Sequence, residues 1–179
     1  MMPITRNRTV SVPAHPDPRF ATGIVGADQV NVVGLERHLR RHVKGEVRFD
    51  DGTRAMYASD ASNFRQVPIG VVVPRTLDDV VATAVACHRY GAPLLSRGGG
   101  TSLSGETVNT AVVIDFSKYL TGIEELDVDG RTVAAQTGVI NEQLNKHTGK
   151  QGLIFGPDPS SHSRCTIGGN LGNNSCGIH

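Results

Sequence analysis

The apolar positions in the middle of the chain predict a strand, a helix and a second strand. Residues 69–73 form a continuous apolar run that Pro74 ends, as in a strand buried on both faces. Thr76 precedes a segment with apolar residues at helical spacing and an aspartate in the capping-box position, and Gly91 ends it. Residues 94–96 form the next short strand. This order predicts a βαβ unit with parallel strands and a right-handed crossover.

The segments before this unit are less regular. Residues 35–43 predict a short basic helix ended by Gly45, whose basic face is either solvated or meets a partner. Residues 46–57 hold short strand-like pieces. Residues 1 to about 29, rich in Pro, Arg and polar residues, predict a poorly ordered lead-in.

The segments after the unit predict further strands and a helix. Residues 112–115 read as a third strand. Residues 122–135 read as a hairpin around an Asp-Gly turn at 129–130, because Asp-Gly is a strong hairpin signal. Residues 139–147 predict a helix that a glycine ends.

The loop from residue 93 to residue 105 contains three consecutive glycines. Glycines 98–100 permit positive φ and close backbone approach, and successive N–H groups in such a turn form a concave anion site. Thr101 and Ser102 add hydroxyl donors, and Arg97 adds a positive charge. A phosphate or pyrophosphate is the simplest ligand, and the alternative is a glycine-rich turn without a ligand.

Two well-known phosphate loops do not match this segment. No lysine follows the glycines, as a Walker loop requires. The dinucleotide fingerprint leads into a helix, whereas Gly105 is followed by a strand-like run. The loop is therefore predicted to join two strands, with no helix dipole behind the anion.

A second glycine-rich region covers residues 165–177, which are also rich in asparagine and nearly free of charge. Such a run exposes backbone N–H and amide groups to a flat polar ligand. The alternative is a helix of small residues that serves packing, and it applies best to Gly168 and Gly169. The preceding loop, residues 156–161, contains Gly-Pro-Asp-Pro.

Composition narrows the classes of function. The 179 residues carry a formal net charge of +1, few aromatics and no Trp, so nucleic-acid binding has little support. Glycine accounts for 21 of the 179 residues, or about 12%, which is well above the usual share of about 7%. Cys87, Cys165 and Cys176 are too few and too far apart for a metal motif or a disulfide framework, which predicts a reduced, cytoplasmic setting. No run is long enough to span a bilayer.

Three segments together resemble one family, the FAD-binding domain of the vanillyl-alcohol oxidase / p-cresol methylhydroxylase (PCMH-type) flavoproteins. They are residues 69–74 with the following helix, the loop 97–105, and residues 156–159 with 166–169 and 174–177. Within the family, the chain resembles the N-terminal part of the D-lactate, glycolate and D-2-hydroxyglutarate dehydrogenase branch. Residues 172–179 are similar to members fused to a C-terminal iron–sulfur region, so an iron–sulfur cluster is expected only in such a region.

The resemblance implies an α+β fold made of two α/β subdomains, with the second incomplete in this chain. The expected division is a lead-in with a short helix over residues 1–45, a first FAD-binding subdomain over 46–117 and a second over 118–179. The cofactor would lie between the two subdomains.

The resemblance also implies a set of FAD-binding residues: Arg97, Gly98, Gly99, Gly100, Thr101, Ser102, Gly105, Pro157, Ser161, Thr166, Gly168, Gly169, Asn174 and Gly177. The first loop would wrap the pyrophosphate, and the residues from 157 to 169 would lie along the flavin and its ribityl chain. Asn174 and Gly177 would hold the cofactor through amide and main-chain bonds. Thr101 stands where covalently flavinylated relatives carry histidine, which implies non-covalent FAD.

The implied activity is that of an FAD-dependent enzyme that oxidises a D-2-hydroxy acid of the lactate, glycolate or 2-hydroxyglutarate type by hydride transfer to flavin N5. Its partners would be the hydroxy acid and an electron acceptor. The family's catalytic histidine and substrate-binding cap have no counterpart here, so no catalytic residue is assigned and the chain alone is expected to be inactive. Two alternatives stay open: a truncated FAD-binding module without activity, and a flavin reductase or non-redox flavoprotein of the same fold.

Overall fold

The computed structural model of the protein describes residues 29–177 and centres on a four-stranded sheet. The strands are β1 (Glu46–Arg48), β2 (Gly70–Val73), β3 (Leu94–Arg97) and β4 (Val112–Asp115), in the spatial order β1-β2-β4-β3. β1 is antiparallel to β2, and β4 is parallel to both β2 and β3. The parallel orientation predicted for the βαβ strands is therefore confirmed, although β4 lies between them. The predicted lead-in lies outside the described residues, except for residue 29.

Five α-helices accompany the sheet within residues 29–177. They are α1 (Val32–His42), α2 (Asp51–Met56), α3 (Leu77–Tyr90), α4 (Asn141–Thr148) and α5 (Ile167–Gly172). A 3₁₀ turn, Gly149–Gln151, follows α4. The mixture of helices and an open mixed sheet agrees with the predicted α+β class.

The core lies on both faces of the sheet because every residue of β2 and β4 is buried. On one face, Leu35 and Leu39 of α1 and Ala86 of α3 pack with Val72 and Val112. Alternate strand residues point to opposite faces. The opposite face accordingly carries a second cluster, in which Val71, Val73 and Val113 are joined by the rings of Tyr57 and Tyr119 and by Leu95.

Local signals at the ends of α3 are realised as predicted. The Thr76 hydroxyl accepts a hydrogen bond from the N–H of Asp79, and the Asp79 carboxylate accepts one from the N–H of Thr76. The same buried carboxylate also accepts from the N–H groups of Lys44 and Arg75 at 2.8 and 2.9 Å. Gly91 ends the helix in the left-handed conformation, at φ 66°. The capping box thus also ties α3 to the end of α1.

The prediction of strand-like pieces over residues 46–57 was only partly right. β1 covers three of these residues, but α2 occupies residues 51–56. The side chain of Asp50 accepts a hydrogen bond from the N–H of Thr53 at 2.8 Å and so caps this helix. Most of α2 is exposed, and its sequence therefore carries no apolar periodicity that could announce a helix.

The predicted hairpin over residues 122–135 is present, with a longer turn than expected. Isolated antiparallel bridges join Ile123 to Ala135 and Asp127 to Thr132. Four residues lie between the second pair, because the Asp127 carboxylate accepts a hydrogen bond from the N–H of Gly130 and stabilises a wider loop. The hairpin packs with α4 and α5 in a third apolar cluster that includes Val139, Leu144 and Ile167.

The helix predicted over residues 139–147 begins two residues later. Ile140 is extended and forms an antiparallel bridge with Thr166, so α4 starts at Asn141. The predicted division of the chain at residue 117 remains a prediction.

Candidate cofactor site

A cavity of about 860 Å³ opens where the loop after β3 faces the segment leading into α5. Its volume falls within the range of about 300–1,000 Å³ that is usual for small-molecule and cofactor sites. The lining combines the glycine loop, the turn after β4, residues 159–161 and α5. The lining residues include Arg97, Gly98, Gly99, Gly100, Thr101, Ser102, Glu106, Thr107, Phe116, Thr137, Ser161, Thr166, Gly168, Gly169 and Asn170.

The glycine loop is held in place by its own backbone and by one neighbouring segment. Gly100 has φ 66° and Gly105 has φ 76°, a region that glycine occupies without strain. The carbonyl of Gly100 accepts a hydrogen bond from the N–H of Ala61 at 3.0 Å. The loop joins β3 to β4, as predicted.

The guanidinium of Arg97 binds backbone carbonyls of two separate segments. It donates to the carbonyl of Ser59 at 2.9 Å, to that of Thr107 at 3.2 Å and to that of Tyr57 at 3.4 Å. It also lies 5.2 Å from the centre of the Tyr57 ring. A Cβ added to Gly100 would lie 2.7 Å from this guanidinium, so Arg97 also underlies the glycine loop. The arginine therefore fastens the loop to the segment after α2.

Gly98 and Gly99 contact the protein itself on one side. A Cβ at Gly98 would overlap the hydroxyl of Thr166, and a Cβ at Gly99 would overlap the carbonyl oxygen of Arg164. The two glycines therefore allow the loop to approach the segment before α5 closely. The loop still lines the cavity, so contact with protein and an open side coexist.

Polar contacts fix the far end of the loop. The Ser102 hydroxyl donates to the carboxylate of Glu106 at 2.9 Å and accepts from the N–H of Ser104. The Thr107 hydroxyl donates to Asp60 at 2.9 Å. Burial raises the pKa of Asp60, but hydrogen bonds from Ser62 and Thr107 outweigh it, so the pKa lies below its usual value.

A second network lies behind the loop, at the end of β4. Oδ2 of Asp115 accepts a hydrogen bond from the Tyr57 hydroxyl at 2.6 Å, and Oδ1 accepts from the hydroxyl and the N–H of Ser117. Burial, with the hydrogen bond to Asp115, raises the pKa of Tyr57, which therefore stays protonated and remains a donor.

The opposite wall is built on α5. Thr166 caps this helix by accepting a hydrogen bond from the N–H of Gly169 at 3.2 Å. A Cβ at Gly168 would lie 2.8 Å from Cβ of Thr137, so the small residue allows the helix to meet the segment before α4. A short helix is therefore present over Ile167–Gly172, where Gly168 serves packing, and residues of this helix line the cavity as well.

Asn170 carries an unsatisfied donor at this wall. Its side-chain amide nitrogen is buried and has no hydrogen-bond partner in the described part of the chain. Buried donors without partners are rare in folded proteins and call for an explanation. Asn170 was not among the predicted residues, because an asparagine inside a short glycine-rich helix gives no local signal of a buried, unpaired amide.

Ten of the fourteen predicted cofactor residues line the cavity, and four do not. The ten are Arg97, Gly98, Gly99, Gly100, Thr101, Ser102, Ser161, Thr166, Gly168 and Gly169. Of the others, Gly105 lies against the ring of Phe64, and the carbonyl of Pro157 accepts a hydrogen bond from Asn141 at 2.8 Å. Asn174 adopts φ 46°, and Gly177 lies against the backbone of Asp158. Glu106, Phe116 and Thr137 line the cavity without having been predicted.

Residues 29–177 contain neither a candidate metal site nor a candidate membrane-spanning helix. No group of three or more His, Cys, Asp or Glu side chains is placed there to hold a metal ion. No helix in the same range combines the length and the apolar character needed to cross a bilayer.

The sheet with its glycine loop and facing short helix defines a known class of domain. A family described as "FAD binding domain" matches residues 68–179, and the chain belongs to this family. The fold is also that of p-cresol methylhydroxylase, whose substrate-bound structure superposes with a TM-score of 0.60 at 17% identity over 79% of this chain and 28% of that one. The predicted PCMH-type fold and the prediction of FAD as cofactor are confirmed.

Two similar relatives are named as enzymes that oxidise hydroxy acids. The chain is 32% identical over 140 residues to D-2-hydroxyglutarate dehydrogenase of Haemophilus influenzae, covering 76% of this chain and 14% of the relative. It is 35% identical over 147 residues to glycolate oxidase subunit GlcD of Escherichia coli K12, covering 79% of this chain and 29% of the relative. The predicted branch is confirmed, and the chain spans less than a third of the length of either relative.

Proposed function

We propose that the cavity is the FAD site and that the chain forms the FAD-binding part of an oxidoreductase acting on a D-2-hydroxy acid. The observation that carries the site is the cavity itself, with its floor of glycine main chain and its unpaired Asn170 amide. A ligand with acceptor atoms along its length would satisfy such donors.

The chemical groups that line the cavity are suited to FAD. Glycines 98–100 with Thr101 and Ser102 offer backbone N–H and hydroxyl donors suited to a pyrophosphate. Ser161, Thr166, Gly168 and Gly169 line the other wall and would face the flavin part. Asn170 would donate its free amide to an acceptor on the cofactor. Bound flavin would supply the hydride-accepting chemistry, and Thr101 offers no imidazole for a covalent link, so the FAD is proposed to be non-covalent.

Four predicted residues would act around this site rather than in its lining. Gly105 would close the first loop through its positive φ, and Pro157 would position Asn141 at the base of α4. Asn174 and Gly177 would reach the cofactor only through the turn after α5. The predicted subdomains, 46–117 and 118–179, would then each contribute one wall of the cavity.

The substrate class rests on the relatives, which are D-2-hydroxyglutarate dehydrogenase and a glycolate oxidase subunit by name. Substrate and electron acceptor would be bound by parts of the full-length protein that correspond to the remainder of these longer relatives. A reduced, cytoplasmic setting and an iron–sulfur cluster confined to a C-terminal region remain proposals of the same kind.

A titration of FAD into the purified chain, followed by flavin fluorescence, tests the site. We expect saturable binding that Asn170→Leu weakens about tenfold, since a hydrogen bond of about 1–1.5 kcal/mol would be lost. The unliganded Asn170→Leu protein should be as stable as the parent or more so, because the substitution removes a buried donor without a partner. Equal FAD affinity in the variant would refute the role of Asn170, and no binding by the parent chain would refute the site.

Turnover of D-2-hydroxy acids by the full-length protein tests the activity separately. Reduction of bound flavin by D-lactate, glycolate or D-2-hydroxyglutarate, and not by the L-enantiomers of the chiral acids, is the expected result. FAD binding without reduction by any of them would favour a flavoprotein of the same fold with another activity.

A further inference from the structure

A second surface of interest lies on the outer sides of α1 and α3, none of whose residues lines the cavity. It will be called the basic–apolar face. Its members are Arg37, His38, Arg41 and His42 of α1 and Leu77, Val81, Val85 and Arg89 of α3.

The positive charges of this face are not neutralised. Arg37, Arg41 and Arg89 form no ion pair within residues 29–177, whereas their neighbour Arg40 binds Glu36 at 2.8 Å. Lys44 follows α1 at the end where its N–H meets Asp79, and its ammonium is unpaired as well. Three unpaired arginines thus lie on the two adjacent helices, and Lys44 adds a fourth unpaired cation two residues after α1.

The two helices bring these charges together. His38 stacks on His42 with ring centres 4.2 Å apart and lies 5.7 Å from the ring of Tyr90, the last residue of α3. Burial lowers the pKa of His38, and the neighbouring charges of His42, Arg89 and Arg41 lower it further. Arg41, His42 and Arg89 therefore lie around His38 in one cluster, and Arg37 lies one turn before Arg41 on the same side of α1.

An exposed apolar stripe continues from this cluster along α3. Leu77, Val81 and Val85 recur every four residues and are 69, 37 and 40% exposed. The next position at this spacing is Arg89. Residues four apart lie on one side of a helix. The stripe therefore runs directly into the basic cluster, and the only carboxylate beside it on α3 that is not buried is that of Asp78.

We propose that the basic–apolar face binds the surface of a bilayer that contains anionic phospholipids. Interfacial attachment combines aliphatic side chains that enter the headgroup region with Lys and Arg that meet anionic lipids. Clusters of four to eight basic residues on one helical surface have this affinity. The proposal is independent of the cofactor and of the proposed activity.

An acidic protein partner fits the face less well. Protein interfaces concentrate their energy in buried aromatic anchors. Apart from the imidazole of His42, the exposed positions of this face are aliphatic or cationic, and Tyr90 is packed against the core. In a bilayer, the small aliphatic side chains would meet the boundary between headgroups and acyl chains, and the unpaired cations beside them would meet the anionic headgroups.

Co-sedimentation of the chain with vesicles tests the proposal. The probes are vesicles of phosphatidylcholine alone and of phosphatidylcholine with about one-third phosphatidylglycerol, at 0.1 M salt. We expect binding to the anionic vesicles only. The triple variant R37Q/R41Q/R89Q should bind about a hundredfold more weakly, at about fivefold per arginine. The variant R65Q/R131Q/K150Q, which removes the same charge elsewhere, should bind like the parent.

Substitution of the stripe separates membrane attachment from simple charge attraction. V81S/V85S should weaken vesicle binding about tenfold or more, because the valines no longer enter the headgroup region. Circular dichroism of each variant confirms that it is folded. Absence of binding to anionic vesicles, equal loss in both triple variants, or unchanged binding by V81S/V85S would each overturn the proposal.

Discussion

The phenol hydroxyl of Tyr57 donates a 2.6 Å hydrogen bond to the carboxylate of Asp115, which joins the end of α2 to the end of β4. Asp115 is buried, so its carboxylate depends on this donor and on Ser117 for the hydrogen bonds that water would otherwise supply.

Tyr57→Phe removes this donor while keeping the ring. We expect a loss of about 2 kcal/mol in the free energy of unfolding, because a buried charged acceptor loses one partner. Tyr90→Phe is the matched control, since the Tyr90 hydroxyl makes no hydrogen bond in the described chain, and it should change stability by less than about 0.5 kcal/mol. Urea unfolding curves measure both, and equal values for the two variants would contradict the importance of the Asp115 contact.

Arg97 offers a second test, since its guanidinium holds three carbonyls beneath the glycine loop. Arg97→Lys keeps the charge but loses the planar, multidentate donor. If the arginine acts by positioning the loop, the lysine variant should lose FAD affinity about as strongly as Arg97→Gln, on the order of tenfold.

The control for Arg97 is Lys150→Gln, at an exposed residue of the 3₁₀ turn after α4. Its FAD affinity should equal that of the parent. Full retention of affinity in Arg97→Lys, with loss only in Arg97→Gln, would instead indicate that the positive charge itself contacts the cofactor. Fluorescence titrations with FAD distinguish these outcomes.

Gly99→Ala places a Cβ against the carbonyl of Arg164. The two backbones must separate, so we expect a destabilisation of about 2 kcal/mol together with reduced FAD binding. Gly99→Val should abolish FAD binding altogether. Gly149→Ala is the control because a Cβ there meets nothing within 4 Å. Calorimetry and flavin content report the two effects, and a fully stable Gly99→Ala protein with normal flavin content would disprove the close contact.

Glu46 gives the fold an acid-sensitive contact. Its carboxylate accepts hydrogen bonds from Lys118 at 2.6 Å and from Tyr119, and it pairs with Arg48. The hydrogen bonds from Lys118 and Tyr119 lower the pKa of Glu46 to about 2, from a usual value of 4.5. Because the folded state has the lower pKa, the stabilisation is complete above pH 4.5 and is lost as the pH falls towards 2.

Glu46→Gln should therefore cost on the order of 1 kcal/mol at pH 7 and progressively less below pH 4.5. Glu142→Gln, which breaks an exposed pair with Lys146, should cost less than about 0.5 kcal/mol. Unfolding free energies measured from pH 7 to pH 2.5 test the difference. A constant difference between parent and Glu46→Gln across this range would exclude the titration of Glu46 as its cause.

The elements that could be predicted from the sequence are those determined by residues close together in the chain. The apolar run of β2, the capping box of Thr76 and Asp79 and the left-handed Gly91 each act within a few residues, and all three are realised. The position of the glycine loop at the end of β3 follows from the same unit. The prediction of FAD as the cofactor came from the resemblance to the family and not from these local signals.

Other features depend on residues far apart in sequence and leave no local pattern. The insertion of β4 between β2 and β3 is decided by sheet pairing. The contacts of Arg97 with the carbonyls of Tyr57 and Ser59 span about forty positions. The orphan amide of Asn170 likewise exists only because distant segments enclose it. The periodicity of apolar residues within one segment cannot predict contacts between segments that are far apart in the sequence.

The close contact of Gly98 and Gly99 with residues 164–166 also has a consequence for biosynthesis. During translation, the glycine loop leaves the ribosome well before its opposing wall does, because more than sixty residues separate them. A nascent chain that ends before α5 therefore has only one wall of the cavity. If FAD occupies this cavity as proposed, its binding would have to follow synthesis of the second wall, late in the maturation of the protein.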